Sequence, residues 1–161
     1  MAGNEIHEWL LRHGKLRHVN MTVPEAITAA GSSMRFICEW KSLVYLLALE
    51  ESLYEQMTET LAEWHQNPPP RRGSDLYVVL IADNRSVLFI FQKDMEKVTL
   101  VDSHQHLNHG AMVAQVPGAR LEQLCVWYNN VLRNYYGSRP ECFELSFLYF
   151  KRYEAGEMAA G

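Results

Sequence analysis

The sequence predicts an α+β domain in which a largely antiparallel sheet of about five strands is packed with helices. Three patterns support this prediction. The segment from Leu121 to Tyr135 carries apolar residues at helical spacing. The runs DLYVVLIAD and SVLFIFQK, joined by Asp83-Asn84-Arg85, have the pattern of a β-hairpin. CFELSFLYFKRY, after Pro140, alternates like a further strand. We expect the chain, residues 1–161, to form one domain.

The first part of the chain is predicted to be mainly helical. NEIHEWLLRHGKL has the apolar spacing of a short amphipathic helix. Thr22 and Glu25 match a capping box, and the helix that they begin should stop at Gly31. MRFICEW alternates as a strand, whereas SLVYLLALE fits a strand or a buried helix equally well. Ser52 and Glu55 form another capping box, which predicts that a third helix starts there.

The clearest break in the chain is HQNPPPRRGS. Its prolines end the preceding helix, and its arginines, glycine and serine predict an exposed loop over residues 66–74. This loop separates the helical part from the strand-rich part, and its Arg71 and Arg72 are candidate binding residues. After the hairpin, KVTLVD and AMVAQV are two short strands, and Pro117-Gly118 leads into the long helix.

Composition limits the class of function. The net charge of −4 at pH 7 argues against non-specific nucleic-acid binding through a basic surface. No apolar run reaches the roughly 18 residues that span a bilayer, and the N-terminus is too polar for a secretory signal. The three cysteines have no paired spacing, which predicts free thiols in an intracellular compartment, cytoplasmic or nuclear. No pattern indicates a cofactor.

VTLVDSHQHLNHG is the stretch whose residues suggest chemistry. It places four such residues within eight positions behind an apolar run: Asp102, His104, His106 and His109. Three interpretations fit them, namely metal ligands, a catalytic pair or a polar loop. A zinc site from the three histidines is conceivable because imidazole suits zinc. No Cys-x-x-Cys pair or histidine pair at helical spacing supports it, so we predict no metal.

The catalytic interpretation depends on VDSH. Strand alternation places Asp102 and His104 on the same face, within reach of each other. A carboxylate beside an imidazole fixes its tautomer and stabilises the imidazolium, as in the supporting half of a nucleophilic triad. A hydrogen-bonded structural pair fits the same pattern.

The segment LYVVLIADNRSVLFIFQKDMEKVTLVDSHQHLNHGAMVAQV resembles the second half of papain-like cysteine proteases of the herpesvirus tegument deubiquitinase type. In that family a hairpin precedes an Asp-Ser-His triplet, and a Gly-Ala strand and a helix follow. MTVPEAITAAGSSMRFICEW and SLYEQMTETLAEW resemble the segments before the hairpin, so the resemblance covers residues 20–150. It implies a papain-like fold with Asp102 and His104 in the catalytic acid and histidine positions.

The nucleophile of that family is a cysteine at the start of an N-terminal helix, preceded by an oxyanion-hole glutamine. The first 37 residues of this chain contain neither residue type. Cys125, on the apolar face of the long helix, is predicted to be core, and Cys142 to be packing. Cys38 lies in a predicted strand, without the helix N-terminus or positive neighbour that activates a thiol. It is a nucleophile only if that strand prediction is wrong.

The leading hypothesis is a non-enzymatic protein-protein interaction domain with a cysteine-protease fold, a pseudo-protease whose partner is ubiquitin or a ubiquitin-like protein. The second is an active thiol peptidase or deubiquitinase that uses Cys38, His104 and Asp102. The third is a zinc-binding domain that uses the histidine cluster. The exposed polar residues expected to bind the partner are Arg71, Arg72, Gln105, His106, Asn108 and His109.

Overall fold

The computed structural model describes residues 23–31, 35–104, 106 and 110–152. In these ranges the chain forms α1 (Val23–Ala30), β1 (Ile37–Tyr45), α2 (Leu49–Gln66), β2 (Leu76–Ala82), β3 (Arg85–Gln92), β4 (Lys97–Asp102), β5 (Met112–Pro117), α3 (Leu121–Tyr136) and β6 (Phe143–Phe150). The predicted α+β class with an antiparallel sheet is confirmed. The sheet has six strands, one more than expected.

The strands are arranged in the order β1-β6-β2-β3-β4-β5, and every neighbouring pair is antiparallel. β2 to β5 form a meander in which each strand pairs with the next along the chain. β6 comes last in sequence but lies between β1 and β2. The sheet edges are therefore β1 and β5, and three strands lie between β1 and β4.

One face of the sheet packs against α2 and α3 to form the core. The strand residues that face the helices alternate along the chain, as the burial of Leu76, Val78, Leu80 and Ala82 on β2 illustrates. The buried helix residues follow helical spacing and include Leu53, Met57, Trp64, Leu121, Leu124, Tyr128 and Leu132. The opposite face is half-buried.

The β2–β3 hairpin closes through a two-residue turn. Asp83 and Asn84 both have left-handed backbone conformations, with φ of 52° and 59°. Such a turn matches the twist of two antiparallel strands, and Asn and Asp tolerate it better than other non-glycine residues. Arg85 therefore belongs to β3 rather than to the turn.

The ambiguous run SLVYLLALE is divided between two elements. Its first half continues β1 as far as Tyr45, and α2 begins at Leu49. The predicted start at Ser52 is wrong, because this residue lies inside the helix and its hydroxyl donates to the carbonyl oxygen of Ala48. A hydroxyl bonded one turn back satisfies a helix-interior serine and needs no helix end. By contrast, α1 ends at Ala30, just before the predicted stop.

The segment after α2 is connected to the last strand. The backbone amide of Arg72 donates to the carbonyl oxygen of Phe150 at 2.9 Å, and Arg71 forms an isolated β-bridge with Lys151. The Arg71 guanidinium lies 5.6 Å from the centre of the Trp64 ring and is half-buried, whereas Arg72 is exposed. The two arginines therefore differ in their access to a partner.

Some expectations concern residues outside the described ranges. These are the N-terminal amphipathic helix, the cap at Thr22, and the candidate binding residues Gln105, Asn108 and His109. Of the helices that the structure describes, none is both long and apolar enough to cross a membrane.

Candidate functional site

Asp102 is the centre of the candidate site. It is the last residue of β4 and follows Val98 and Leu100 on the face that packs against the helices, so its carboxylate is 1% exposed. Both carboxylate oxygens accept hydrogen bonds, which is required because an unpaired buried charge is costly. The end of an apolar strand thus carries a buried anion close to the C-terminal part of α3.

His104 supplies two of the donors to Asp102. Its backbone amide lies 2.9 Å from Oδ1, and its ring Nδ1 lies 2.7 Å from the same oxygen. The side chain of His104 is 35% exposed. Because Nδ1 faces the carboxylate, Nε2 is the ring nitrogen directed to other partners. The predicted pairing of these two residues is present in the structure.

His106 does not have the exposed position expected of a binding residue. It is fully buried, and its Nε2 lies 2.9 Å from Oδ2 of Asp102. Its Nδ1 lies 3.3 Å from the carbonyl oxygen of Gly110. The strand alternation that relates Asp102 to His104 also extends to His106, so the sequence contained this signal. The assumption that a polar connection is solvent-exposed was wrong here, because Asp102 draws the second imidazole inward.

Aromatic residues of α3 enclose His106. Its ring centre lies 5.3 Å from that of Tyr135 and 5.6 Å from that of Tyr136. The guanidinium of Arg85, on β3, lies 3.7 Å from the centre of the Tyr136 ring. Burial and then the negative charge of Asp102 raise the pKa of Tyr136, and Arg85 opposes this shift. No local pattern in the sequence identifies Arg85 or these two tyrosines as neighbours of the histidines.

Asp83 links the hairpin turn to the end of α3. Its Oδ2 accepts a hydrogen bond from the Ser138 hydroxyl at 2.5 Å. The same oxygen forms an ion pair with the Arg85 guanidinium at 3.0 Å. The hydrogen bond from Ser138 is the largest cause of a lowered pKa at Asp83, with a further contribution from Arg85. A chain of contacts therefore connects the turn to His106. It consists of the Asp83–Arg85 ion pair, the stacking of Arg85 on Tyr136 and the contact between the rings of Tyr136 and His106.

The structure does not bring Cys38 to this pair. Cys38 lies on β1, and four inter-strand spacings separate β1 from β4, or about 19 Å. In register, Cys38 pairs with Tyr149, whereas the row of Asp102 crosses β6 near Leu145, four residues away, which adds about 13 Å along the strands. The strand prediction for this segment is confirmed, because Cys38 lies within β1.

Neither of the other two cysteines is an activated nucleophile beside His104. Cys125 is buried on α3, and burial raises the pKa of its thiol to about 12, with Glu122 adding to the shift. A thiol with a raised pKa is a poor nucleophile at neutral pH. Cys142 precedes β6, three inter-strand spacings from β4, or about 14 Å. The expectation that Cys142 is packed is wrong, because it is exposed.

Arg71 and Arg72 lie at the other end of the sheet from the histidines. They contact the C-terminal end of β6, whereas the row of Asp102 crosses the start of that strand. Among the proposed binding residues that the structure describes, Arg71 and Arg72 therefore do not share a surface with His106.

A zinc site would need His106 to present a nitrogen to the metal. Both of its ring nitrogens face protein oxygens instead, as described above. In the part of the chain that the structure describes, no three His, Cys, Asp or Glu side chains are grouped to hold a metal ion. His109, the third predicted ligand, lies outside that part.

The chain has the α+β fold of the papain-like cysteine proteases. One solved structure with this fold is the ubiquitin-specific protease encoded by a tegument protein of murine cytomegalovirus, in complex with a ubiquitin-based suicide substrate. It matches with a TM-score of 0.54 at 13% sequence identity, over 96% of this chain and 64% of that chain. The present chain thus spans less than two thirds of that protease, and the likeness shows the fold alone.

A second solved structure, the avirulence protein AvrPphB of Pseudomonas, matches with a TM-score of 0.45 at 13% identity, over 91% of this chain and 69% of that chain. No family model and no curated protein matches the sequence.

Proposed function

We propose that this chain is a non-enzymatic protein-protein interaction domain with a deubiquitinase-like fold, and that its partner is ubiquitin or a ubiquitin-like protein. One observation carries the proposal. The chain retains a hydrogen-bonded Asp102–His104 pair, yet Cys38 and Cys142 lie at least about 14 Å away by strand spacing, and the Cys125 thiol is buried with a raised pKa. A nucleophile and its base must approach hydrogen-bond distance.

The alternative is a thiol peptidase that uses Cys38. It would require β1 to leave the sheet, because Cys38 is separated from His104 by β6, β2 and β3. β1 pairs with β6 from Ile37 to Tyr45, so this would break a full strand of backbone hydrogen bonds. The structure therefore favours a role in binding over a role in thiol catalysis.

Two observations support a protein partner. The murine cytomegalovirus protease binds a ubiquitin-based substrate, and it has the same fold. In addition, Val44 near the end of β1 exposes 68% of its surface, and Leu46 and Leu47 just after β1 expose 84% and 45%. Exposed aliphatic residues that lie close together are typical of interaction surfaces. They lie at the end of the sheet at which β4 terminates in Asp102.

The catalytic part of the proposal is tested with ubiquitin that carries a thiol-reactive group at its C-terminus. We expect no covalent adduct by intact-protein mass spectrometry, under conditions in which an active deubiquitinase is labelled completely. The Cys38→Ser and His104→Ala variants serve as controls. An adduct that disappears in both variants would contradict the proposal and establish the thiol peptidase.

The binding part is tested by titrating unmodified ubiquitin, and then a panel of ubiquitin-like proteins, into the isotope-labelled chain. We expect saturable chemical-shift changes with one of them. Leu46→Asp should weaken this binding at least about fivefold, because a charge replaces an exposed apolar contact. Met95→Asp is the matched control, since Met95 is 55% exposed at the opposite end of the sheet. The absence of binding to every protein of the panel would disprove the choice of partner.

A further inference from the structure

Asp102 accepts hydrogen bonds from two imidazoles on separate oxygens, and only one of these imidazoles reaches the surface. We propose that His106 is a positioning residue, which anchors Asp102 and thereby sets the orientation and the tautomer of the His104 ring. This inference concerns the geometry of the pair and is independent of the partner and of catalytic activity.

Burial separates the roles of the two histidines. His106 is 0% exposed, so no partner can touch it in this conformation. The side chain of His104 is 35% exposed, and its Nε2 is directed away from Asp102. Any effect of His106 on a bound molecule must therefore pass through Asp102 and His104.

The carboxylate needs an anchor because the torsion at the end of an aspartate side chain has only broad preferences. The contacts on Oδ1 alone, from the amide and Nδ1 of His104, would leave the carboxylate free to turn about that oxygen. The contact of Oδ2 with Nε2 of His106, at 2.9 Å, fixes the second oxygen. With both oxygens held, Oδ1 remains 2.7 Å from Nδ1 of His104. Partners of this kind orient functional histidines in metal sites by the same logic.

His106 is itself held by elements that are distant in sequence. Tyr135 and Tyr136 both pack against its ring, and the Arg85 guanidinium stacks on the ring of Tyr136. A ring enclosed by aromatic neighbours and a carbonyl oxygen has little rotational freedom. The position of Asp102 is thereby tied to the docking of α3 on the sheet.

The test compares two substitutions at position 106. His106→Phe keeps an aromatic ring between the tyrosines but removes the donor to Oδ2. His106→Gln places an amide N–H near the position of Nε2 and keeps the donor. His65→Phe is the matched control, because His65 is exposed on α2, away from Asp102. The readout is the tautomer of the His104 ring, from long-range proton–nitrogen correlation spectra of the folded proteins at a pH at which the ring is neutral.

In the wild type, the His65→Phe control and His106→Gln, we expect His104 to carry its proton mainly on Nδ1, facing Asp102. In His106→Phe, the ratio of the Nε2-protonated to the Nδ1-protonated form should rise about tenfold, since a hydrogen bond to a charged group shifts equilibria by at least this factor. Both variants change the packing of the ring, but only His106→Phe removes the donor. A normal tautomer in His106→Gln would therefore show that the donor, and not the packing, is what matters.

Two results would overturn the inference. One is a folded His106→Phe protein whose His104 tautomer is unchanged, because Asp102 would then hold its orientation without His106. The other is a folded His106→Gln protein that has lost the Nδ1 tautomer, because donation to Oδ2 would then not be what positions the pair. If the phenylalanine variant does not fold, the glutamine variant decides alone.

Discussion

The end of β4 and the start of β1 both carry ionisable side chains, but they are built differently. At the end of β4, Asp102 is buried and accepts from three donors, and its contacts extend through His106 to α3. At the start of β1, Cys38 is half-buried and its side chain hydrogen-bonds to Tyr149, its partner in register. The Asp102–His104 pair thus comes from one short segment that α3 supports, whereas Cys38 belongs to a strand that three others separate from it.

The first prediction concerns the reactivity of the thiols. Burial raises the pKa of Cys125 to about 12, so its thiolate at neutral pH should be about a thousandfold rarer than that of an ordinary cysteine. We expect the exposed Cys142 to react with iodoacetamide at least about a thousandfold faster in the folded protein. Peptide mapping after timed quenching measures both rates. Similar rates would show that the α3 face opens readily.

Asp102→Ala should have the largest effect on stability. It leaves two imidazoles and an amide without their buried acceptor, and breaking such a cluster should lower the free energy of unfolding by about 3 kcal/mol. Urea denaturation measures the loss. The control Asp94→Ala, at an exposed position between β3 and β4, should change stability by less than about 0.5 kcal/mol. Equal effects would mean that the Asp102 end of the sheet is not preorganised.

Ser138→Ala should have a smaller effect that depends on pH. The hydrogen bond from Ser138 lowers the pKa of Asp83, so it stabilises the folded state above the pKa of Asp83 in the unfolded chain. This contribution is lost as the pH falls through the lower pKa of the folded state. Because Asp83 is largely exposed, the variant should lose less than about 1 kcal/mol at neutral pH and nothing at strongly acidic pH. Urea denaturation at several pH values tests this; a loss that grows in acid would contradict it.

The smallest expected effect tests directly whether His104 at the end of β4 influences Cys38 on β1. His104→Ala should leave the alkylation rate of Cys38 within about twofold of the wild type, because activation of a thiol requires a nearby base or positive charge. Mass spectrometry of the Cys38 peptide after timed alkylation gives both rates. A strong decrease in the variant would show that the thiol and the imidazole meet in solution, and it would break the comparison.

Patterns of short range could be predicted from the sequence. The hairpin between Leu76 and Gln92 and the helix from Leu121 follow from alternation, turn residues and apolar spacing, and both are present. The boundary between β1 and α2 could not be predicted, because SLVYLLALE is apolar throughout and tertiary packing decides where the strand ends. The pairing of Asp102 with His104 was accessible because both residues lie on one short segment.

The features that could not be predicted from the sequence depend on contacts between distant segments. The burial of His106 requires Tyr135 and Tyr136, about thirty residues later in the chain, and no local pattern announces that contact. The separation of Cys38 from His104 depends on the strand order, which places three strands between β1 and β4. Strand alternation places His106 on the same side as Asp102, but it does not show which residues cover that side, and it contains no information about the strand order.

The position of β6 between β1 and β2 has a consequence for biosynthesis. β1 is complete at Tyr45, but its pairing partner begins only at Phe143. At ribosomal speeds of about 5 to 20 residues per second, β1 has no sheet partner for about 5 to 20 s. During this time the meander from β2 to β5 can form by local pairing, while the edge of β2 that will receive β6 stays open to other strands. The synthesis of β6, rather than the growth of the meander, therefore sets when the open edges of β1 and β2 are first paired, both with β6.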